Sequence, residues 1–191
     1  MGKIRESGMP SVDQWESYFD PLAILESFGC RDLSGDCVEF GCGYGTFTLA
    51  AATHLQGIVY TSDIDHSMVA ATRARAIAAA CNNVVVEQRD FVVEGCGRPD
   101  GRASFVMLFN ILHIEDPLTL LREAYRVLRS GGIAGVIHWK HDAGTPRGPP
   151  LEIRPRPASC QGWAEQVGFR CKPPRDLPGS TWHWGMVAER P

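Results

Sequence analysis

The sequence has no long apolar run, no excess of basic residues and no pair of cysteines in a Cys-x-x-Cys spacing. A transmembrane helix needs about 20 apolar residues, so we expect no membrane span. The formal net charge is −3, which does not indicate an extended nucleic-acid footprint, and we expect no nucleic-acid partner. The seven scattered cysteines favour free thiols in a reducing compartment over a disulfide framework.

Size and the opening residues narrow the class of protein further. The chain has 191 residues and is 44% hydrophobic, which supports one core and leaves no room for two ordinary domains. Its first ten residues mix charges with glycine and lack the apolar centre of a signal peptide. We therefore expect a single domain in the cytoplasm.

Three glycines at alternate positions, Gly41, Gly43 and Gly45, follow a short apolar run, and an acid, Asp63, ends a second apolar run about twenty residues later. A strand, a glycine turn and the start of a helix build a nucleotide-binding crevice. The dinucleotide-binding fingerprint places its third glycine where this chain has Thr46. The match to nicotinamide or flavin binders is therefore imperfect.

Glu39, two residues before the first of these glycines, distinguishes between ligands. A carboxylate there would face the pyrophosphate of NAD or FAD, and like charges in contact repel by several kcal/mol at an effective dielectric constant of about 20. S-adenosylmethionine suits the site better, because its methionine end carries an ammonium and a sulfonium and its ribose offers two hydroxyls to Asp63. A nicotinamide oxidoreductase is the disfavoured alternative.

Five segments in order resemble the motifs of class I S-adenosylmethionine-dependent methyltransferases. They are residues 38–46, 59–65, 88–91, 109–117 and 123–132. Together they cover roughly residues 36–140, and the broader pattern is similar to the small-molecule group that includes the ubiquinone and menaquinone enzymes. The resemblance implies S-adenosylmethionine as the cofactor and a small molecule as the methyl acceptor.

Apolar strands alternate with helical segments along the chain, which predicts an α/β fold with a parallel sheet covered on both faces. The resemblance to the methyltransferases further implies a Rossmann-like, doubly wound sheet of seven strands whose last strand is antiparallel. We divide the chain into cover helices (1–34), a cofactor-binding core (35–140) and a C-terminal part (141–191).

Several local boundaries follow from the pattern of cap and breaker residues. We predict that Ser11 caps the first helix, that Asp116 and Pro117 open a helix that stops at Gly131 and Gly132, and that Ser159 caps the last helix. Residues 103–109 predict a buried central strand. The stretch 141–157, rich in proline, glycine and arginine, predicts an ordered loop or partial lid.

The resemblance also implies which residues bind the cofactor. These are Glu39, Gly41, Cys42, Gly43, Tyr44, Gly45, Asp63, Ile64, Asp90, Phe91 and Asn110. Glu39 would hold the methionine ammonium, and Asp63 would accept hydrogen bonds from the ribose hydroxyls. Asp90 would accept from the adenine amino group. Asn110 would touch the methionine portion.

Residues on the acceptor side are predicted from their type and place in the chain. Trp15, Tyr18 and Trp139 can wall an apolar pocket, and Arg147 can meet a carboxylate or phosphate, although each also suits packing or a solvated charge. His113 follows the fourth strand, where it suits either a general base or a loop histidine bonded to the backbone.

Two further patterns limit the chemistry. His138 and His141 stand three residues apart at a strand end, where their side chains point in different directions, so we expect no metal site. The residues from Asn110 to His113 do not match the Asn-Pro-Pro-Tyr type motif that grips amide or adenine nitrogens.

The sequence therefore favours a methyltransferase that transfers a methyl group directly, in line, to a small molecule. A non-catalytic S-adenosylmethionine-binding partner or sensor is the alternative. The acceptor, the attacked atom and the oligomeric state are left open.

Overall fold

Eight strands form one sheet in the computed structural model, which describes residues 9–30 and 33–191. The strands are β1 (Asp36–Phe40), β2 (Val59–Asp63), β3 (Val84–Gln88), β4 (Ala103–Phe109), β5 (Leu128–Trp139), β6 (Arg170–Cys171), β7 (Arg175–Leu177) and β8 (Ser180–Glu189). The α-helices are α1 (Val12–Glu16), α2 (Pro21–Phe28), α3 (Thr46–His54), α4 (His66–Ala78), α5 (Phe91–Glu94), α6 (Pro117–Val127) and α7 (Pro157–Val167). A short 3-10 helix covers Leu151–Ile153.

The strand order is β3-β2-β1-β4-β5-β8-β6, with β7 also paired to β8. Strands β1 to β5 pair in parallel, and β8 runs antiparallel to β5. This confirms the predicted Rossmann-like, mostly parallel sheet, but the described residues contain eight strands where seven were predicted. The additional strand is β7, a three-residue segment just after Pro173 and Pro174, where prolines mask the strand pattern.

Strand β4 forms the centre of the core. Every residue from Ala103 to Leu108 is buried, as the unbroken apolar run predicts. Val106 and Leu108 belong to one core cluster with α6 and α7, whereas Phe105 and Met107 belong to the other with α2 and α3. The alternation places helices on both faces of the sheet.

No helix among the described residues is both long and apolar enough to cross a membrane.

The end of α6 corrects one prediction, because the helix stops at Val127 and residues up to Gly132 already belong to β5. Arg190, near the C-terminus, donates hydrogen bonds to the carbonyls of Tyr125 (2.9 Å), Arg126 (3.2 Å) and Leu128. These bonds satisfy carbonyls that a helix leaves open at its end. A residue distant in sequence thus makes the earlier stop possible.

One of the three predicted caps is wrong, and a second lies at the predicted position without a capping hydrogen bond. Ser159 lies inside α7, which begins at Pro157 after an extended Arg156; proline at the first helical position is already set for the helix. Ser11 precedes α1, but its side chain makes no capping hydrogen bond. Asp116 does cap α6, since its carboxylate accepts from the Leu118 backbone N–H at 3.1 Å.

Candidate functional site

A cavity of about 690 Å³ lies at the carboxyl ends of the parallel strands, where open α/β sheets bind their ligands. Thirteen of the predicted site residues line it: Trp15, Glu39, Gly41, Cys42, Gly43, Asp63, Ile64, Asp90, Phe91, Asn110, His113, Trp139 and Arg147. Three others, Tyr18, Tyr44 and Gly45, are not among its lining residues. The cavity therefore brings predicted cofactor-binding residues and predicted acceptor-side residues together.

Gly41 and Gly43 keep the glycine loop close to the cavity. Their φ angles are 85° and 50°, in the left-handed region that side chains disfavour. A Cβ at Gly41 would lie 3.1 Å from Ile111 Cδ1, and one at Gly43 would lie 3.3 Å from Met9 Cε. Both neighbours line the cavity, so the absent side chains preserve its space.

The three predicted residues that do not line the cavity, Tyr18, Tyr44 and Gly45, contact elements that form its wall. Gly45, with φ of 78°, is the N-cap of α3. The Tyr44 hydroxyl donates to the Pro10 carbonyl at 2.7 Å, which fastens the N-terminal segment over the loop. Tyr18 packs edge to face on Trp139, with ring centroids 5.3 Å apart. Their positions indicate structural support.

The Glu39 carboxyl is buried beside the glycine loop, with 4% of the residue exposed. Its Oε2 accepts hydrogen bonds from the Thr48 hydroxyl and, at 2.6 Å, from the Thr61 hydroxyl. Oε1 accepts none from the described residues. Burial raises the pKa of this carboxyl to about 7, although the two hydroxyls act in the opposite direction. A cation at Oε1 would relieve the cost of burying the charge.

Asp63 ties the end of β2 to the glycine loop. Its Oδ2 accepts from the Gly43 backbone N–H and its Oδ1 from the Asp65 backbone N–H, both at 3.0 Å. Burial raises the pKa of the Asp63 carboxyl. Each carboxylate oxygen has more than one acceptor position, so both oxygens can accept from a ligand while they hold the loop.

Asp90 and Phe91 lie at the start of α5. Asp90 Oδ1 accepts from the backbone N–H groups of Val92 (3.2 Å) and Val93 (3.3 Å), which caps this helix. The Phe91 ring packs edge to face on Phe40, with centroids 5.4 Å apart. These contacts fix both side chains against the core on the β3 side of the cavity.

Asn110 has the clearest unsatisfied polar group in the cavity. Neither Oδ1 nor Nδ2 of its buried amide has a hydrogen-bond partner among the described residues, which costs about 1–3 kcal/mol per group. Its φ of 57° also lies in the left-handed region, a strain that is common at functional sites. A bound ligand with polar groups would satisfy the amide.

His113 forms a pair with His138 at the ends of β4 and β5. The distance from His113 Nδ1 to His138 Nε2 is 3.3 Å, so the bond is to a side chain and not to the backbone. Burial lowers the pKa of both imidazoles, which keeps them neutral near pH 7. Within residues 9–30 and 33–191, no group of three or more metal-ligating side chains is placed to hold a metal.

The loop after β5 supplies part of the cavity wall and contains a residue that sequence reasoning missed. Arg154 is buried, with 7% exposed, and donates to the Lys140 and Pro149 carbonyls, both at 2.8 Å. The sequence shows only an arginine in a proline-rich loop, so no local signal identifies it.

The sequence analysis also did not predict twelve residues that line the cavity. Most of them are apolar and cannot be distinguished by type from core residues. They are Met9, Pro10, Thr46, Phe47, Val92, Phe109, Ile111, Ile114, Gly148, Pro149, Pro150 and Ile153.

Comparisons with known proteins agree with this geometry. A family model described as "Methyltransferase domain" matches residues 37–132. No curated protein sequence matches the chain.

Solved structures with a similar fold include the following three. One is a SAM-dependent methyltransferase from Aquifex aeolicus (22% identity, 95% of this chain and 94% of that one, TM-score 0.81). Another is an S-adenosylmethionine-dependent methyltransferase from Mesorhizobium loti (17% identity, 88% and 98%, TM-score 0.69). The third is the [4+2]-cyclase SpnF (17% identity, 89% and 80%, TM-score 0.75). At these identities the likeness shows the fold alone.

The raised pKa of Glu39 predicts a link between stability and pH. Between its ordinary value of 4.5 and about 7, the folded chain keeps a proton that the unfolded chain releases, so this carboxyl makes stability fall as pH rises. Glu39→Gln cannot ionise and can still accept from both threonines. We expect its free energy of unfolding to exceed the wild-type value by about 1–3 kcal/mol at pH 8 and by much less at pH 5.

Urea denaturation at both pH values measures this difference. Glu165→Gln, at an exposed position on α7, is the matched control and should follow the wild type. Parallel pH profiles for the wild type and Glu39→Gln would contradict the assignment.

Proposed function

Since the chain belongs to the methyltransferase-domain family, we propose that it transfers a methyl group from S-adenosylmethionine directly to a small-molecule acceptor. The family and the fold indicate S-adenosylmethionine as the cofactor. When bound, its sulfonium supplies an electrophilic methyl group. The roles of individual residues and the class of acceptor are our proposals.

The observation that carries the proposal is the pair of unsatisfied groups at the ends of β1 and β4. Glu39 Oε1 and the Asn110 amide lack hydrogen-bond partners among the described residues and line one cavity. A carboxylate suits an ammonium, and an amide can both donate and accept. We propose that Glu39 holds the methionine ammonium and that Asn110 binds the rest of the methionine portion.

The remaining cofactor residues suit an adenosine. We propose that Asp63 accepts from the ribose hydroxyls and that Asp90 accepts from the adenine amino group. Ile64 and Phe91 would pack on the adenine ring. The glycine loop, including Cys42, would let the main chain approach the ligand closely. The cavity is lined by Gly41, Cys42, Gly43, Asp63, Ile64, Asp90 and Phe91.

Methyl transfer mainly requires alignment of the acceptor and exclusion of water, an orientation effect that can supply several kcal/mol. We propose that Trp15 and Trp139 provide an apolar wall for this purpose. We also propose that His113 acts as general base at Nε2, in the tautomer in which its Nδ1–H donates to His138. The low pKa of His113 keeps this nitrogen unprotonated at neutral pH.

Calorimetry with S-adenosylhomocysteine tests the cofactor assignment. We expect one molecule to bind per chain, and Asp63→Ala to bind about tenfold to a hundredfold more weakly, because charge-assisted hydrogen bonds are lost. Asp100→Ala, at an exposed position outside the cavity, is the matched control and should bind like the wild type. No binding, or equal binding by Asp63→Ala, would refute the proposal.

A panel of hydroxyl, thiol and amine acceptors with labelled S-adenosylmethionine tests His113. For a hydroxyl acceptor that must lose its proton early, His113→Gln should lower kcat by about a hundredfold and leave S-adenosylhomocysteine affinity unchanged. Because burial lowers the pKa of His113, the wild-type kcat should fall on acidification at a lower pH than it would for an ordinary imidazole. An unchanged kcat in the variant would rule out His113 as the general base.

Cofactor binding without turnover on any acceptor of the panel would favour the alternative function, a non-catalytic S-adenosylmethionine-binding module.

A further inference from the structure

His113 and His138 form a pair that connects the cavity to the interior of the fold. His113 lines the cavity, whereas His138 is 0% exposed and is not among the lining residues. Nδ1 of His113 lies 3.3 Å from Nε2 of His138, and the two rings are nearly perpendicular, with an interplanar angle of 83°. One imidazole therefore lies in the cavity wall, and a second contacts it from the interior.

A single proton lies between these two nitrogens when both rings are neutral. A neutral imidazole has one N–H and one acceptor nitrogen, so two arrangements can form this hydrogen bond. If His113 donates from Nδ1, its Nε2 is an acceptor. If His138 donates from Nε2, the Nε2 of His113 carries a proton. Only the first arrangement lets His113 accept a proton from a ligand in the cavity.

The imidazole of His138 has no second hydrogen bond among the described residues, because its Nδ1 is buried without a partner. Burying a polar ring with so few hydrogen bonds is costly, and an apolar side chain would avoid this cost. The contact with His113 is therefore the interaction that accounts for a histidine at this position.

The surroundings of His138 keep its ring neutral. Burial lowers the pKa of His138, and the nearby charges of His113, His183 and Arg154 act in the same direction. A proton that the pair takes up from the cavity therefore resides on His113. His138 then serves as the neutral acceptor of the Nδ1–H of His113, and such a bond stabilises the charged imidazole.

The part of the cavity wall that follows β4 and β5 is mainly apolar. Its apolar side chains are those of Phe109, Ile114, Trp139, Pro149, Pro150 and Ile153. Among the polar residues of this part, Asn110 is assigned to the cofactor, and Arg147 already has an interaction within the protein. These surfaces would cover an uncharged apolar ring, whereas a charged group buried against them would lose its hydration.

We infer that the methyl acceptor is an uncharged apolar ring compound with a hydroxyl group, and that His138 is the positioning residue that keeps Nε2 of His113 ready to accept the hydroxyl proton. The hydroxyl oxygen forms the new bond to the methyl carbon as the bond from that carbon to sulfur breaks, and the electron pair of the broken bond stays on sulfur. The hydroxyl proton moves to Nε2 of His113, so the positive charge passes from the sulfonium to the imidazolium. The inference rests on the proposed function, since it names the acceptor class of the same cavity.

Nitrogen-15 NMR of the histidine rings in the ligand-free protein tests the role of His138. We expect wild-type His113 to carry its proton on Nδ1 at neutral pH. His138→Leu removes the acceptor and should abolish the preference for Nδ1–H. His138→Gln, whose amide oxygen can replace Nε2 as the acceptor, should retain it. A wild-type His113 that carries its proton on Nε2 would overturn the role, even if His138→Leu does not fold, and so would an unchanged tautomer in a folded His138→Leu.

Cys160→Ala is the matched control for a loosened core. Cys160 of α7 is also fully buried and does not line the cavity. Its truncation removes buried volume but no partner of His113, so the tautomer of His113 should be that of the wild type. The same loss of the Nδ1–H preference in this variant would overturn the positioning role.

Four probes that share one ring test the acceptor class: 2-naphthol, 2-methylnaphthalene, 2-naphthoate and 2-naphthylmethylammonium. Equilibrium dialysis measures their affinities for the protein saturated with S-adenosylhomocysteine. We expect 2-naphthol to bind at least about tenfold more tightly than the carboxylate or the ammonium compound, because the charged groups lose their hydration. His113→Leu should weaken 2-naphthol about fivefold to tenfold and leave 2-methylnaphthalene within about twofold, because only the hydroxyl donates to Nε2.

Three results would show that the acceptor class is wrong. The first is a charged probe that binds as tightly as 2-naphthol. The second is an equal effect of His113→Leu on 2-naphthol and 2-methylnaphthalene. The third is a protein that binds S-adenosylhomocysteine but not 2-naphthol.

Calorimetry with S-adenosylhomocysteine separates this inference from the proposed function. The wild type, His138→Leu and His138→Gln should bind it with equal affinity, since His138 does not line the cavity. A wild-type protein that fails to bind it would overturn the proposed function itself. The tautomer of His113 is read without any ligand, so the role of His138 succeeds or fails by a separate measurement.

Discussion

The buried carboxyl of Glu39 is the constraint on which the rest of the site depends. Glu39 lies in β1 directly opposite Thr61 of β2, and Thr48 of α3 donates to the same oxygen. Strand β1 therefore carries the Glu39 carboxyl, and β2 and α3 each hydrogen-bond to it beside the glycine loop. A negative charge buried in this way is costly, and we propose that the ammonium of the ligand compensates for it.

The fold determines the structure of the β1 to β3 side of the cavity more completely than that of the β5 side. The β1 to β3 side is built from the glycine loop and strand ends, features that belong to the architecture and suit one cofactor. The β5 side is built from a loop that Arg154 fixes through main-chain carbonyls. A loop of this kind can change without changing the sheet. That division explains how one fold can serve unrelated acceptors.

Local patterns predicted some of the features that depend on neighbours in sequence, although the Ser159 cap was wrong because Pro157 begins α7. The strand Ala103–Phe109 and the cap at Asp116 follow from such patterns. Features decided by distant residues could not be predicted: the end of α6 depends on Arg190, and the loop after β5 depends on the burial of Arg154. The apolar residues of the cavity wall have the same composition as core residues, so only the fold distinguishes them.

A crystal structure of the complex with S-adenosylhomocysteine tests the central claim most directly. The account predicts that the ligand's ammonium nitrogen lies within about 3.2 Å of Glu39 Oε1, with the Thr48 and Thr61 hydroxyls still on Oε2. A complex in which the ammonium contacts another group and Oε1 stays without a partner would contradict it.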